Sequence, residues 1–209
     1  MIDTGFLDKN ANMAILIRHS ERNHIPDGVH DIVTPINAQG EMIAIELGKK
    51  LRKFDRIKII SSPVERCVQT GNAIMKGFDM LTETGFSNLL GEPGPFVFDC
   101  EVAKEHFIKM TCKAVVEIQI AHKQLAGIRP IEEGSEMLKN YIVAELQANK
   151  PNNLLVFISH DAIIAPFIFQ YTGEKFNHEH WIDYIDGVSF IESNNLVYII
   201  RNGEKYELH

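Results

Sequence analysis

The stretch AILIRHSER, residues 14–22, decides the fold because four apolar residues run directly into charged ones. Its apolar half, Ala14 to Ile17, has the length and character of a strand that is buried on both faces in a parallel sheet. Its polar half starts at once with Arg18 and His19. Open α/β sheets place their binding sites outside the carboxyl ends of such strands. The stretch therefore predicts a central strand that ends in reactive side chains.

Two later stretches repeat this arrangement of a buried strand followed by a polar cluster. Residues 57–60 read IKII and precede the cluster SPVER at 62–66, while residues 154–158 read LLVFI and precede SHD at 159–161. The carboxyl ends of parallel strands meet at one edge of a sheet. We therefore expect the three polar clusters to converge on one site.

The segments between the strands have the spacing of helices. Apolar residues three or four positions apart predict an amphipathic helix over 38–54. A second helix is predicted with Ser62 as its N-cap, Pro63 as its first helical residue and Glu65 completing a capping box. Strands that alternate with helices imply a layered α/β domain.

Residues 78–130 form a predicted insertion in which the pattern loosens. Glycine and proline interrupt its first half, which predicts a loop, and a helix is predicted over 103–126. Two apolar runs near the end of the chain, 188–191 and 196–200, are joined through two asparagines and predict a hairpin. Since no linker divides the chain, we expect residues 1–209 to form a single domain that carries this insertion.

Composition and charge exclude several classes of protein. The 209 residues carry 21 basic and 28 acidic side chains, and the net charge of −7 argues against binding to nucleic acid or to an anionic membrane. Three scattered cysteines suggest neither a disulfide framework nor a zinc ribbon. Residues 1–12 lack the pattern of a signal peptide, and no apolar stretch reaches the roughly 20 residues that span a bilayer. We expect a cytoplasmic protein, and the sequence leaves a homodimer open.

The three polar clusters together contain two histidines and three arginines. Planar guanidinium groups form bidentate, charge-assisted hydrogen bonds with phosphate oxygens. A helix N-terminus beside Arg66 would add backbone donors, and a bound anion would explain a cation where the helix dipole alone opposes one. The residues therefore predict a phosphate pocket that contains an imidazole.

The order of the clusters resembles a known family. RHxxR at 18–22, SSPxxRxxQT at 61–70 and SHD at 159–161 resemble the histidine phosphatase superfamily, whose fold is phosphoglycerate-mutase-like. The resemblance covers most of the chain and has features of both branches of the family. It implies a three-layer α/β/α fold with a mostly parallel central sheet. It also implies a metal-independent phosphomonoesterase that forms a phosphohistidine intermediate from a small phosphorylated substrate, with no cofactor.

The resemblance assigns roles to five residues of the clusters. His19 resembles the nucleophile that becomes phosphorylated, and His160 resembles the second histidine of the pocket. Arg18 and Arg66 resemble the two arginines that hold the phosphate. Arg22 resembles a further phosphate-binding arginine of the acid-phosphatase branch.

Two positions depart from the family pattern, and the second leaves the general acid open. Ser20 stands where the family usually has glycine, and its hydroxyl is expected to add a phosphate contact. Asp161 resembles the acid of the acid-phosphatase branch, whereas Glu92 in Leu90-Gly91-Glu92 matches the placement of the glutamate in the smaller-phosphatase branch. Either carboxyl could protonate the leaving oxygen. We favour Asp161, because its neighbour in sequence is already a pocket residue, although it could also cap a helix.

Other functions stay open at this stage. A mutase would return the phosphoryl group to another position of the substrate, and an inactive binding module would hold a phosphorylated ligand without reaction. A nucleic-acid-binding domain is disfavoured by the net charge. The sequence His178-Glu179-His180 invites a metal site, but no third cluster of ligands accompanies it, so no metal is predicted.

Overall fold

The structure is a computed structural model that describes residues 1–26, 29, 31–79 and 82–208. Residues 80 and 81 of the predicted insertion therefore lie outside the described residues. Seven strands lie within the described part: β1 Asn12–Arg18, β2 Arg56–Ser61, β3 Thr82–Phe86, β4 Asn153–Ser159, β5 Gly187–Ser193, β6 Leu196–Arg201 and β7 Glu204–Glu207. They form one sheet in the order β3-β2-β4-β1-β5-β6-β7.

The sheet is mixed, so the expectation of a mostly parallel sheet holds for only one half of it. The strands β1 to β4 are parallel, whereas β5, β6 and β7 pair antiparallel. Two tight turns produce the antiparallel half. Asn194 and Asn195 adopt positive φ angles of 54° and 63°, and Asn202 and Gly203 adopt 52° and 81°. The first turn confirms the predicted hairpin, and the second forms a hairpin that the sequence analysis missed.

Helices cover both faces of the sheet. Alternate residues of β1 point to opposite faces, and Met13, Ile15 and Ile17 pack in a different apolar cluster from Ala14 and Leu16. The result is the predicted layering of helices, sheet and helices. None of the described helices is long and apolar enough to cross a membrane. The helices are α1 Ala38–Lys50, α2 Glu65–Phe78, α3 Cys100–Lys109, α4 Cys112–Ile120, α5 Ile131–Ala148 and α6 Asp161–Thr172. The cluster that contains Met13 includes residues of α1 and α2, and the cluster that contains Ala14 includes residues of α4, α5 and α6.

The predicted capping box at the start of α2 is wrong. The helix begins at Glu65, two residues later than predicted, and its N-cap Val64 makes no side-chain cap. The Ser62 hydroxyl instead accepts from the backbone N–H of Val64 over 3.2 Å and lies 3.0 Å from a nitrogen of His160. The side chain is thus engaged with the functional edge of the sheet and is not available to cap the helix.

The predicted insertion contains more regular structure than its sequence suggested. The strand β3 lies inside the stretch that was predicted as a loop, and it adds an edge to the central sheet beside β2. The predicted helix over 103–126 is two helices, α3 and α4. Met110 between them is extended, with φ of −128°, and the Thr111 hydroxyl accepts from the N–H of Ala114 and caps α4. A local hydroxyl cap therefore interrupts a continuous helical pattern.

Candidate active site

Two histidines meet at the carboxyl edge of the sheet, one after β1 and one after β4. The register of the two strands pairs Arg18 with Ser159, so His19 and His160 each follow a paired position. The N–H of His19 donates to the carbonyl oxygen of Ser159 over 2.9 Å. The two rings are buried, and their centroids lie 5.5 Å apart. The structure thus brings the first and third clusters together.

Arg66, the second residue of α2, joins the two histidines. Its Nε donates to Nε2 of His19 over 3.2 Å, and its Nη2 lies 3.3 Å from Nδ1 of His160. Its Nη1 donates to the carbonyl oxygen of Asp31 over 3.0 Å. The second cluster therefore reaches the same point, and Arg66 also connects it to the loop that precedes α1.

The contacts of His19 fix which of its nitrogens can react. Its Nδ1 lies 2.8 Å from the carbonyl oxygen of Ser20. A carbonyl only accepts, so Nδ1 carries the proton and Nε2 keeps its lone pair. Burial, followed by the charges of His160, Arg18 and Arg66, holds the pKa of His19 well below its ordinary value. The imidazole is therefore neutral at neutral pH, and its Nε2 lone pair accepts from Arg66.

Two of the predicted phosphate-binding arginines have a buried N–H donor without a hydrogen-bond acceptor among the described residues. The Nε atoms of Arg18 and Arg22 have no hydrogen-bond partner in the part of the chain that the structure describes. Arg18 is otherwise held firmly, by Asp161 at 2.7 Å, by the carbonyl oxygen of Ile182 at 2.7 Å and by the ring of Tyr184 at 4.4 Å. An unsatisfied buried donor costs about 1–3 kcal/mol. An acceptor within reach of each Nε, such as an anion oxygen, would remove that cost.

Asp161 is the first residue of α6, and its carboxylate is heavily engaged. It accepts from Arg18, from Nε1 of Trp181 over 3.1 Å and from the N–H of Ala162 over 3.0 Å. Burial by itself would raise the pKa of Asp161, but the positive charge of Arg18 and the hydrogen bond from Trp181 outweigh it and hold the pKa well below its usual range. The carboxyl is therefore ionised, and these contacts weigh against the preference for Asp161 as the proton donor.

Glu92, the other candidate acid, is exposed and follows directly on the wall of the pocket. The preceding residue, Gly91, packs so closely on Ser62 that a Cβ atom at Gly91 would overlap the Ser62 hydroxyl. That hydroxyl in turn lies 3.0 Å from His160. The carbonyl oxygen of Leu90 accepts from the hydroxyl of Ser159 over 2.8 Å. The backbone before Glu92 is thus fixed against the site, and its role as acid stays a prediction.

The role predicted for Ser20 needs correction. Its side chain is completely buried, and its hydroxyl donates to the carbonyl oxygen of Gly40 over 2.7 Å. That bond uses the only hydrogen of the hydroxyl, so none is left for a phosphate oxygen. The backbone N–H of Ser20 donates to the hydroxyl of Thr70 over 2.9 Å. Ser20 therefore ties the loop after β1 to α1 and α2.

Three residues contact the predicted site residues although the sequence did not predict these contacts. Ser62 belongs to a motif that was noticed, but its hydroxyl was interpreted only as a helix cap. Trp181 and Tyr184 contact Asp161 and Arg18 from a segment before β5. No periodicity or motif marks that segment, because only the tertiary fold brings it to the pocket.

The His178-Glu179-His180 sequence forms no metal site in the part of the chain that is described. His178 lies 2.6 Å from a carboxylate oxygen of Glu117, and His180 lies 3.0 Å from one of Glu174. Among the described residues, no three histidine, cysteine or acidic side chains are grouped as metal ligands. Each of these two histidines faces its own carboxylate.

Residues 14–92 match the family model described as the histidine phosphatase superfamily, branch 1. The match contains the first two polar clusters and ends at Glu92. It confirms the resemblance that the sequence motifs predicted. No curated protein matches the chain.

Solved structures of similar fold cover nearly the whole chain. Phosphoglycerate mutase from Bacillus anthracis str. Sterne is 17% identical, with a TM-score of 0.59, over 94% of this chain and 95% of that one. The Bacillus stearothermophilus protein YhfR is 14% identical, with a TM-score of 0.60, over 92% and 96%. A mycobacterial glucosyl-3-phosphoglycerate phosphatase is 14% identical, with a TM-score of 0.57, over 85% and 89%. At these identities the likeness establishes a phosphoglycerate-mutase-like fold.

Proposed function

We propose that this protein is a phosphomonoesterase that acts through a phosphohistidine at His19. One observation carries the proposal: the neutral Nε2 of His19 keeps its lone pair and lies 3.2 Å from a guanidinium nitrogen of Arg66. A phosphate that binds to Arg66 is thereby placed beside a nucleophile. The arginines supply the positive charge that phosphoryl transfer requires, so the proposed reaction needs no metal ion.

In the first step, Nε2 of His19 attacks phosphorus in line with the leaving oxygen. The new N–P bond forms as the P–O bond to the alcohol breaks, and a carboxyl group protonates the departing oxygen. The imidazole becomes positively charged during the attack. The carbonyl oxygen of Ser20, which accepts the Nδ1 proton over 2.8 Å, stabilises that charge.

The three equatorial oxygens of the transferring group need donors that are already in place. Arg66 lies between the histidines, and the vacant Nε of Arg18 and of Arg22 offers two further N–H groups. His160 would complete the set from the opposite side of Arg66. Donors that are held before the reaction stabilise the transition state without reorganising.

In the second step, water attacks the phosphohistidine. The carboxylate that protonated the leaving alcohol accepts a proton from the water, the N–P bond breaks, and inorganic phosphate leaves with a restored neutral His19. Each turnover therefore consumes one water and returns the carboxyl group to its protonated form.

We assign the acid to Glu92 and give Asp161 the task of positioning Arg18. Asp161 is ionised by its pairing with Arg18, which makes it a poor proton donor. Glu92 is exposed, follows a backbone that is fixed against Ser62, and lies within the family match. The sequence alone favoured Asp161, and the contacts of its carboxylate are the reason for the different choice.

A mutase is the second candidate because His19 is only 2% exposed. A mutase must shield its phosphohistidine from water, and a buried nucleophile suits that requirement. The likeness to a phosphoglycerate mutase is consistent with this reading but concerns the fold alone. An inactive binding module is disfavoured, since the chain keeps His19, the proposed nucleophile, in contact with Arg66 and keeps Arg18 directly before it.

Hydrolysis of p-nitrophenyl phosphate, with and without a chelator, tests the proposal. We expect turnover that the chelator does not change. A panel of phosphorylated sugars, glycerates and nucleotides would then identify the class of substrate. If no member of the panel releases phosphate, the proposal of a hydrolase is wrong. Transfer of the phosphoryl group between two positions of one glycerate would instead establish the mutase.

A further inference from the structure

The side of His160 that faces away from the pocket contacts two groups that can donate a hydrogen bond. Its Nε2 lies 3.0 Å from the hydroxyl oxygen of Ser62 and 3.5 Å from the sulfur of Cys67. Both side chains are completely buried. Burial raises the pKa of the Cys67 thiol to about 12, so the sulfur keeps its hydrogen. The two nitrogens of His160 thus face different chemistry, a hydroxyl and thiol on one side and the pocket on the other.

In the free protein, the pocket side of His160 must accept a hydrogen bond. Nδ1 lies 3.3 Å from Nη2 of Arg66, and a guanidinium group has only donors. Burial, followed by the charges of Arg66, lowers the pKa of His160 to about 3, so the ring carries one proton at neutral pH. That proton therefore sits on Nε2, which donates to the Ser62 hydroxyl.

A bound phosphate reverses the requirement on the pocket side. The unprotonated oxygens of a bound phosphate only accept, so a neutral His160 can bind one of them only through an N–H at Nδ1. Nε2 then has a lone pair and needs a donor. The Ser62 hydroxyl can supply it, since a hydroxyl has one hydrogen to donate as well as two lone pairs, of which the N–H of Val64 uses only one, over 3.2 Å.

We propose that Ser62 is a positioning residue whose hydroxyl accepts from Nε2 of His160 in the free protein and donates to the same nitrogen when phosphate is bound. The ring loses the Nε2 proton to solvent and gains one at Nδ1, so its proton count and charge do not change. The proposal rests on the proposed function only in requiring a phosphate site.

The fold keeps Ser62 in place for this task. Its backbone N–H donates to the carbonyl oxygen of Ile158 over 2.9 Å, which holds the end of β2 beside the end of β4. On the other side, Gly91 packs against the hydroxyl without space for a Cβ atom. The hydroxyl can therefore rotate its hydrogen but cannot move its oxygen, and reversing the bond requires only that rotation.

Nitrogen NMR of the whole protein with ¹⁵N-labelled histidine tests the proposal directly. The spectrum of His160, assigned by its loss in His160→Asn, distinguishes the two neutral tautomers from the doubly protonated ring. We expect Nε2–H in the free protein and Nδ1–H with saturating inorganic phosphate. The same tautomer in both states, or a doubly protonated ring with phosphate, would overturn the proposal.

Variants of Ser62 test whether this hydroxyl is responsible. In Ser62→Ala, we expect the shift to Nδ1–H to be incomplete and the Kd for inorganic phosphate to rise about fivefold to tenfold, the usual effect of one lost hydrogen bond. Ser87→Ala is the matched control, because the Ser87 hydroxyl accepts from the N–H two residues later just as Ser62 does. A Ser62→Ala protein with an unchanged tautomer shift and Kd would remove Ser62 from this role.

The comparison of free and phosphate-bound wild-type protein tests the tautomer reversal even if Ser62→Ala does not fold, because it needs no variant of Ser62. It also separates this inference from the proposed function. A wild-type protein that reverses its tautomer with phosphate but hydrolyses no ester would leave the inference standing and reject the phosphatase. A protein that hydrolyses esters without reversing the tautomer of His160 would reject the inference and leave the phosphatase standing.

Discussion

At the scale of single residues, the chemistry depends on which atom of each side chain is already engaged. His19 has its Nδ1 proton on a backbone carbonyl, and Ser20 has its hydroxyl hydrogen on Gly40. Asp161 has Arg18 and Trp181 on its carboxylate. The first arrangement leaves on Nε2 the lone pair that the proposed attack requires, whereas the other two weigh against the roles that were predicted for Ser20 and Asp161.

We predict that His19→Ala abolishes both ester hydrolysis and acid-labile phosphate labelling of the protein. The reason is that Nε2 of His19, whose lone pair lies beside Arg66, is the atom that the proposed attack on phosphorus uses. Turnover and labelling with a ³²P-ester are measured together. His178→Ala, which changes an exposed histidine beside Glu117, is the control and should keep full activity. A His19→Ala protein with even about a tenth of wild-type turnover would remove His19 from the nucleophile's role, since loss of a nucleophile costs far more.

The general acid is tested by the leaving group. We predict that Glu92→Gln slows an alkyl phosphate far more than p-nitrophenyl phosphate, because an alkoxide needs a proton and a nitrophenolate needs little help. General acid catalysis is typically worth about 10²–10⁴-fold. The kcat and the KM are compared for both esters.

Asp161→Asn is the matched variant for this experiment. If Asp161 positions Arg18, its loss should weaken binding of both esters to a similar degree. If instead Asp161→Asn shows the dependence on the leaving group and Glu92→Gln does not, the assignment is reversed, and the interpretation favoured by the sequence alone is correct.

At the scale of helices and strands, the site depends on a close crossing of α1 and α2. Gly48 of α1 lies against the backbone of Ile74, and Gly77 of α2 lies against the backbone of Ile45, so that neither position has room for a Cβ atom. This crossing places the start of α2, and with it Arg66, against the loop after β1. Backbone approach of this kind explains why glycines stand inside two helices, where they are otherwise unfavourable.

We predict that Gly48→Ala destabilises the protein by about 1–3 kcal/mol, the usual cost of overpacking. In an unobstructed helix the same change would stabilise it by about 1 kcal/mol. Gly71→Ala is the control, since a Cβ atom at Gly71 would meet side-chain atoms of Ile59 and Ile158 at 3.2 and 3.5 Å and no backbone. Urea unfolding measures both. A Gly48→Ala protein as stable as the wild type would show that the helices can separate at no cost.

The elements that could be predicted from the sequence are those whose signal is local. β1, β2 and β4 are short apolar runs, and the Asn194-Asn195 turn fixes the hairpin between β5 and β6. β3 and β7 were missed because edge strands are only half buried and carry polar residues. The helix start at Ser62 was wrong because a tertiary partner, His160, competes for the hydroxyl.

At the scale of the whole molecule, the sheet order makes the site. β4 lies between β1 and β2, so the three polar clusters follow three adjacent strands although they are far apart in sequence. The sequence predicted that these clusters would share an edge, since each follows a parallel strand. It could not predict that Tyr184 and Trp181 would contact Arg18 and Asp161, because no local pattern shows that β5, which follows their segment, pairs with β1. The meeting of the three polar clusters was thus predictable from the sequence, and the contacts made by Tyr184 and Trp181 were not.

The burial of two neutral histidines, His19 and His160, affects the stability of the whole protein. The pKa values of His19 and His160 are lowered in the folded state from an ordinary value of 6.5, that of His160 to about 3. Below pH 6.5 the unfolded chain therefore takes up protons that the folded protein does not, and falling pH favours unfolding. Above pH 6.5 both states are neutral at these positions, and the effect vanishes.

We predict that the free energy of unfolding falls by about 1.4 kcal/mol for each of these histidines between about pH 7.5 and about pH 5.5. Urea unfolding at the two pH values measures it, and carboxylates contribute equally to the wild type and to a histidine variant. His160→Asn should therefore lose about 1.4 kcal/mol less than the wild type over this range, whereas the exposed-site variant His178→Ala should lose nearly as much. An identical pH dependence in wild type and His160→Asn would mean that His160 takes up its proton in the folded state as readily as in the unfolded chain. A ring that charges so easily beside Arg66 could not be the neutral partner of a phosphate oxygen.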